Sequence, residues 1–190
     1  MVKEVITLPH TSLRKRSKQI GHISDKTVEL INDMEKSTLD WEDKRDHEVG
    51  VALAAVQINY HKRVIVIRNN FDNKKDRTFT AYINPEIIEH EGDPEYELEG
   101  CLSVKELYGK VPRYPKVKVR AKTVNGDVVE ITAEHFLARV FQHEIDHMNG
   151  VLFVDRIKDS PESFSRLRED GNITKLGDEE REETFSILWK

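Results

Sequence analysis

The chain has a single cysteine, Cys101, in 190 residues. No intrachain disulfide can close, a reducing compartment fits, and any special use of that thiol is chemical. Long apolar runs are also missing: no stretch approaches the ~20 residues that a membrane-spanning helix needs. Met1 to His10 mix Lys3 and Glu4 with a few apolar residues and lack the continuous apolar core of a secretory signal. These absences read as a soluble, cytoplasmic protein, an organellar protein stripped of its transit segment being the secondary alternative. Charge of one sign is scarce too, with 30 Lys and Arg against 35 Asp and Glu and a net charge of −5. No strongly basic block marks a nucleic-acid groove, so nucleic acid is not the favoured partner. Without repeats or low-complexity segments, the length suits one domain with a core large enough to hold a catalytic pocket.

Periodicity supplies the elements. From Ser24 to about Trp41, Val28, Ile31, Met34 and Thr38 recur at helical spacing behind a Ser-Asp start that caps the first turn. Gly50 to Gln57 is rich in small residues that admit close approach to the backbone. Val64 to Ile67 reads as a buried strand, and Thr80 to Ile88 as another, interrupted at Asn84-Pro85. Lys116 to Thr132 alternates around Asn125-Gly126, which predicts a hairpin with a tight primed turn. Thr132 is placed to cap a second helix whose apolar face carries Phe136, Leu137, Val140, Phe141, Ile145 and Met148, with Gly150 ending it. Residues 1–158 form the expected catalytic unit, and 159–190 a C-terminal helix and polar tail, loosely held, with breaks at Gly171 and Gly177. Phe185, Ile187, Leu188 and Trp189 either dock on the body or are offered to a partner such as the ribosome.

Within the second helix lies His143-Glu144-Ile145-Asp146-His147. Imidazoles at i and i+4 stand on one helix face and suit joint binding of one ion. Glu144, beside the first ligand, is free to act as a base on water acidified by that ion and to return the proton to a leaving amine. Alone the pattern is moderately specific, and the bland alternative is a solvated helix with histidines on its polar face. The residues around both histidines are apolar, however, and buried imidazoles need a reason such as a bound cation. A catalytic site ordinarily has three protein ligands and an open position. Cys101, in Glu99-Gly100-Cys101-Leu102-Ser103, is the natural third, although a lone cysteine is more often an inert buried residue.

Taken together, Gly50 to Gln57, Glu99 to Ser103 and His143 to His147 closely resemble the three signature motifs of the peptide deformylase family, and Pro9 with Leu13-Arg14 resembles its opening segment. The resemblance covers about residues 3 to 155. It implies an α+β fold, with antiparallel sheets around a central metal-binding helix. It also implies hydrolysis of the N-formyl group from formylmethionine at the start of nascent polypeptides. Cys101, His143 and His147 would hold one divalent ion, natively Fe(II), with zinc, nickel or cobalt able to occupy the same ligands. Ligand type alone does not choose iron, since one thiolate and two imidazoles suit zinc as well. A thiolate–iron site is expected to be lost to oxygen. Glu144 would be general base and acid, and Gln57 with the backbone N–H of Leu102 would stabilise the oxyanion. The peptide would lie extended beside Val51 and Gly100, adding itself as a strand. Phe136, Val140 and Val51 are candidates for the wall of its methionine pocket, with the Arg139 stem alongside and its head reaching water. Asp146, off the metal face, is expected to pair with Arg113.

One departure stands out: Ala52 occupies the place of the family's second glycine. Alanine there is either strained, if φ is positive, or narrows the cleft. Tyr108-Gly109 is read as part of a variable loop. Two rival functions remain. A zinc endopeptidase would take a downstream ligand such as Glu162 or Glu169 but leaves Glu99 to Ser103 unexplained. A catalytically silent binding module would need neither Glu144 nor Gln57.

Overall fold

The computed structural model describes residues 1–189. A capped 3-10 turn, Thr11–Arg14, is followed by helix α1, Asp25–Asp43, which starts at Ser24 as its capping pattern predicts. Strand β1, Ala52–Ala54, runs into a short 3-10 turn, Ala55–Ile58, and then come β2, Val64–Arg68, and β3, Phe79–Glu91. Strands β4, Glu95–Cys101, and β5, Val104–Arg113, make one hairpin, and β6, Lys116–Lys122, and β7, Val128–Glu134, make another. The central helix α2, His135–Met148, is followed by the short α3, Phe153–Arg156. Strands β8, Phe164–Leu167, and β9, Ile173–Lys175, precede the last helix α4, Asp178–Leu188.

The strands form two antiparallel sheets, ordered β1-β2-β3-β6-β7 and β4-β5-β8-β9. Val64 to Ile67 of β2 are all apolar because both faces of the strand are covered, and its last residue, Arg68, is buried against Glu42. Ile65 and Ile67 meet α2 residues Phe141, Ile145 and Met148, while Val64 and Val66 meet Leu30, Ile31 and Met34 of α1. A third cluster packs Val104, Leu107 and Val111 of the second sheet on Leu152, Phe153 and Ile157. The fold is therefore α+β, with α2 enclosed by the sheets.

Four local expectations are corrected. Thr132 does not cap α2; it pairs with Lys118 in β7, and the ladder continues to Lys116↔Glu134, so strand pairing holds the chain extended until Glu134 becomes the N-cap. The hairpin at Asn125-Gly126 is present, but only Gly126 is left-handed, with φ 92°. A primed type I′ turn needs positive φ at both central residues, and the link instead runs from Thr123 to Asp127, with the Gly126 N–H donating to the Thr123 carbonyl at 3.0 Å. Tyr108 and Gly109 lie in β5 and not in a loop. Beyond residue 158 the chain is not a loose tail: β8 pairs with β5 and β9 with β8, and Leu176 and Leu188 are buried. Phe185 meets Phe164 edge to face at 5.0 Å, and the Trp189 indole N–H donates to Asp155 at 3.0 Å. Of the four apolar tail residues, Ile187 is the exposed one.

Candidate active site

Helical geometry stacks His143 and His147 one turn apart, with ring centroids 4.9 Å from each other. Cys101 arrives from the other sheet, at the end of β4, where the two-residue turn Leu102-Ser103 reverses the chain into β5. Its Sγ lies 3.2 Å from His147 Nε2, and ligand atoms of Cys101, His143 and His147 all fall within 4.8 Å of one another. No other such cluster of three occurs among the described residues, and Glu162 and Glu169 take no part in it.

This donor set fits a metal. One thiol and two imidazoles give three protein ligands and leave room for a fourth, exchangeable position. Nδ1 of His143 is engaged by Glu99 Oε2 at 3.0 Å, which orients the ring and leaves its other nitrogen for the cluster. Burial, reinforced by the charges of His143 and Arg113, pushes the His147 pKa down, so its ring is neutral and carries the lone pair that a ligand needs. On His143 burial acts the same way, but bonds to Cys101 and Glu99 outweigh it and hold the pKa up.

Glu144 is 4% exposed, and its Oε2 has no hydrogen-bond partner among the described residues. Burial raises its pKa to about 7, where a carboxyl both accepts and returns a proton near neutrality. Gln57 is fixed by its neighbours. Its Oε1 accepts the Ala54 N–H at 2.8 Å, and its Nε2 donates to Ser103 Oγ at 3.1 Å while lying 3.7 Å from Cys101 Sγ. The acceptor end is held by the β1 backbone, so the donor end faces the cluster.

A buried ionic network supports the ligands from behind. Arg113 donates to both oxygens of Glu99 at 2.8 and 3.0 Å and to Asp146 at 2.5 Å, so the expected Arg113–Asp146 pair is present. Arg156 closes on Asp146 from the far side at 2.7 Å. Burial opposes ionisation of Glu99, but His143 and Arg113 overcome it and hold the carboxyl well below the usual range. Arg139 corrects the sequence reading. Its head does not reach water but donates to Glu99 at 2.9 Å and to the Val111 and Glu95 carbonyls at 2.7 and 2.9 Å. Four partners within reach, Glu97 at 3.2 Å being the last, outweigh solvation of an otherwise buried guanidinium.

A cleft of about 230 Å³ opens onto the cluster, with Val51, Gly100, Leu102, Phe136 and Val140 in its lining beside Gln57 and Glu144. Ala52 lines it too and has no positive φ, so the strain alternative falls and the narrower cleft remains. Phe136 is half exposed and meets Phe71 edge to face at 4.9 Å. Sequence reading missed Trp41, Glu48 and Tyr108 in the lining. Tyr108 stands opposite Gly100 in the β4–β5 register, and its hydroxyl donates to Glu48 at 3.2 Å. A Cβ at Gly100 would lie 2.5 Å from the Tyr108 ring. The glycine therefore leaves room for the aromatic ring, and the β4–β5 register shifts between it and Cys101. The sequence carried no strand signal here, because Val104, Leu107, Tyr108 and Val111 recur at i, i+3, i+4 and i+7, the period of a helix.

Comparison with known proteins gives one consistent picture. The family model described as Polypeptide deformylase matches residues 2–162. The chain is 45% identical over 145 residues to a peptide deformylase of Halothermothrix orenii, covering 76% of this chain and 86% of that protein. It is similar to the crystal structure of a peptide deformylase from Legionella pneumophila, with a TM-score of 0.74 and 33% identity over 99% of this chain and 94% of that one. It is also similar to the Met-Ala-Ser-bound class I type b peptide deformylase from Acinetobacter baumannii, with a TM-score of 0.72 and 33% identity over 83% of this chain and 99% of that one.

Proposed function

Since the chain belongs to the polypeptide deformylase family and so removes the N-formyl group from nascent polypeptides, we propose how its own residues carry out that hydrolysis. Cys101, His143 and His147 would hold a divalent ion, which when bound would supply Lewis acidity and acidify water near neutral pH. Glu144 takes a proton from the attacking water and hands it to the departing amine, a task suited to a buried, otherwise unpartnered carboxyl. Gln57 Nε2 and the Leu102 N–H donate to the oxygen that gains charge as the carbonyl becomes tetrahedral. The fixed orientation of the Gln57 amide supports this role, because a donor already aimed needs no reorganisation. Glu99 keeps His143 in register.

The peptide lies along β1. That strand ends its sheet, so its outer edge is available for main-chain pairing beside Val51 and Gly100. A structural relative bound to Met-Ala-Ser supports a methionine-first substrate here. Phe136, Val140 and Val51 form the wall for the methionine side chain.

We assign Fe(II) as the native ion and the cytoplasm as the site of action, where formylated chains are made and the free thiol of Cys101 stays reduced. Residues 1–158 are the catalytic unit, and 159–190 complete its second sheet. A ribosomal contact through the tail has one exposed apolar residue to use, Ile187.

The observation that carries the reading is the convergence of Cys101 with both histidines beside an unpartnered glutamate. Protein purified without air, with its metal quantified, is expected to release formate from formyl-Met-Ala-Ser and to lose activity on exposure to oxygen. Cleavage of internal peptide bonds with no formate released would overturn the assignment.

A further inference from the structure

Two short basic segments, far apart in the chain, meet on one face. Lys15, Arg16 and Lys18 follow the first 3-10 turn, and His61, Lys62 and Arg63 precede β2. The backbone joins them directly: the Lys18 N–H donates to the His61 carbonyl at 3.0 Å, and the Arg63 N–H donates to the Lys18 carbonyl at 2.9 Å. In this bridge Lys18 and Lys62 stand opposite each other, an arrangement of like charges that is unfavourable without a counter-charge. None of Lys15, Arg16, Lys18, Lys62 and Arg63 has a carboxylate within 4.0 Å among the described residues. Their fields overlap. Burial and then Lys15 push the His61 pKa down, and burial and then Arg16 do the same to Arg63. Glu86, the one carboxylate acting on Arg63, already pairs with Arg120 at 3.6 Å. Tyr60, 42% exposed, adjoins the cluster.

We propose that this face binds the phosphate backbone of RNA, with an unpaired base stacking on Tyr60. Closely spaced cations without counter-ions match a phosphate chain, and an exposed aromatic beside them matches a single-stranded loop better than a lipid surface or an acidic protein. Position suits the chemistry. Arg63 reaches Asn149 at 2.9 Å, so the patch lies at the C-terminal end of α2, whereas the cleft is lined from the other end by Phe136, and no patch residue lines the cleft. RNA held there leaves the cleft open to a nascent peptide. That last consequence rests on the deformylase reading, and the binding itself does not.

The test uses the metal-loaded full chain and a fluorescently labelled RNA hairpin with an unpaired loop, titrated by anisotropy across a salt series. Neutralising about five phosphates gives a slope of log K against log salt near −4. The variant K15Q/R16Q/K18Q/K62Q should bind more weakly and flatten the slope to about −1, since each cation removed leaves one phosphate with its own counter-ion. A charge-matched control, K26Q/K36Q/K74Q/K75Q, should retain the parent slope. Equal weakening in both variants, an unchanged slope in the first, or equal binding to anionic vesicles would each overturn the proposal. Tyr60→Ala should weaken binding to the looped hairpin but not to a blunt duplex, and equal weakening of both would remove the stacking interaction. Formate release measured on the same samples should be unchanged in every variant. Its absence from the parent protein would defeat the deformylase reading while leaving the RNA result standing.

Discussion

The same side chains do different work on the two sheets. On the outer face of the first sheet, Lys118 pairs with Glu130 at 2.9 Å, Lys116 with Glu91 at 3.1 Å and Arg120 with Glu130 at 3.0 Å, all well exposed. Behind the metal cluster, Arg113, Glu99 and Asp146 pair at similar lengths but are almost wholly buried. Water screens the first group and competes for its partners, so those pairs serve solubility and register more than stability. The second group has lost its water, and each member depends on the others to offset that loss. Burial, and not distance, separates an ornament from a support.

The sharpest test is a buried charge that has no ion-pair partner. Glu144→Gln should lower kcat by about 10²–10⁴ through loss of proton transfer. Its denaturation midpoint should stay at or above that of the parent, because the change removes an unpaired buried carboxyl. A matching loss of stability would show that Glu144 belongs to the supporting network after all. Next comes the network itself. Arg113→Leu leaves Glu99 to Arg139 and His143 and leaves Asp146 to Arg156, and should destabilise the fold by about 3 kcal/mol, read by guanidinium unfolding, with bound metal falling as Glu99 is less firmly held against His143. Arg113→Lys keeps the charge but not the fork, and should fall between the two. A fully stable Arg113→Leu protein would sink the contrast between the sheets. Ala52→Gly serves as an uncharged control in the same cleft. It should lower stability by about 0.5–1 kcal/mol, as glycine does in strands, while changing KM through a wider cleft. The smallest effect is expected for Lys118→Ala, whose unfolding midpoint should match the parent at both low and high salt.

The split between what was readable and what was not follows the range of the interactions. Local rules placed α1 behind Ser24, put His143 and His147 on one face, and ended α2 near Gly150, since caps and periodicity act within a turn or two. The Arg113–Asp146 pair was legible because Asp146 points off the metal face and a buried carboxylate demands a cation. Arg139 was misread because its partners are strand carbonyls, and a sequence does not show where those will point. Strands β8 and β9 were missed because they are short and gain their order from the β5-β8-β9 ladder rather than from propensity. Tyr108 was hidden because the apolar residues around it recur at a helical period, and the basic patch because it exists only where distant segments touch.

The three side chains proposed to hold the metal do not belong to one layer. Cys101 rides on the β4–β5 hairpin, and the histidines ride on a helix packed against the opposite sheet. An ion bound there would act as a rivet between the two layers, and its binding energy would add to the cohesion of the folded state. Loss of the ion would remove one tie between hairpin and helix while the Arg113–Asp146 and Arg139–Glu99 pairs keep the rest joined. Ion-free protein is therefore expected to be cut by added protease somewhat sooner than ion-loaded protein, with the first cuts near the β4–β5 hairpin.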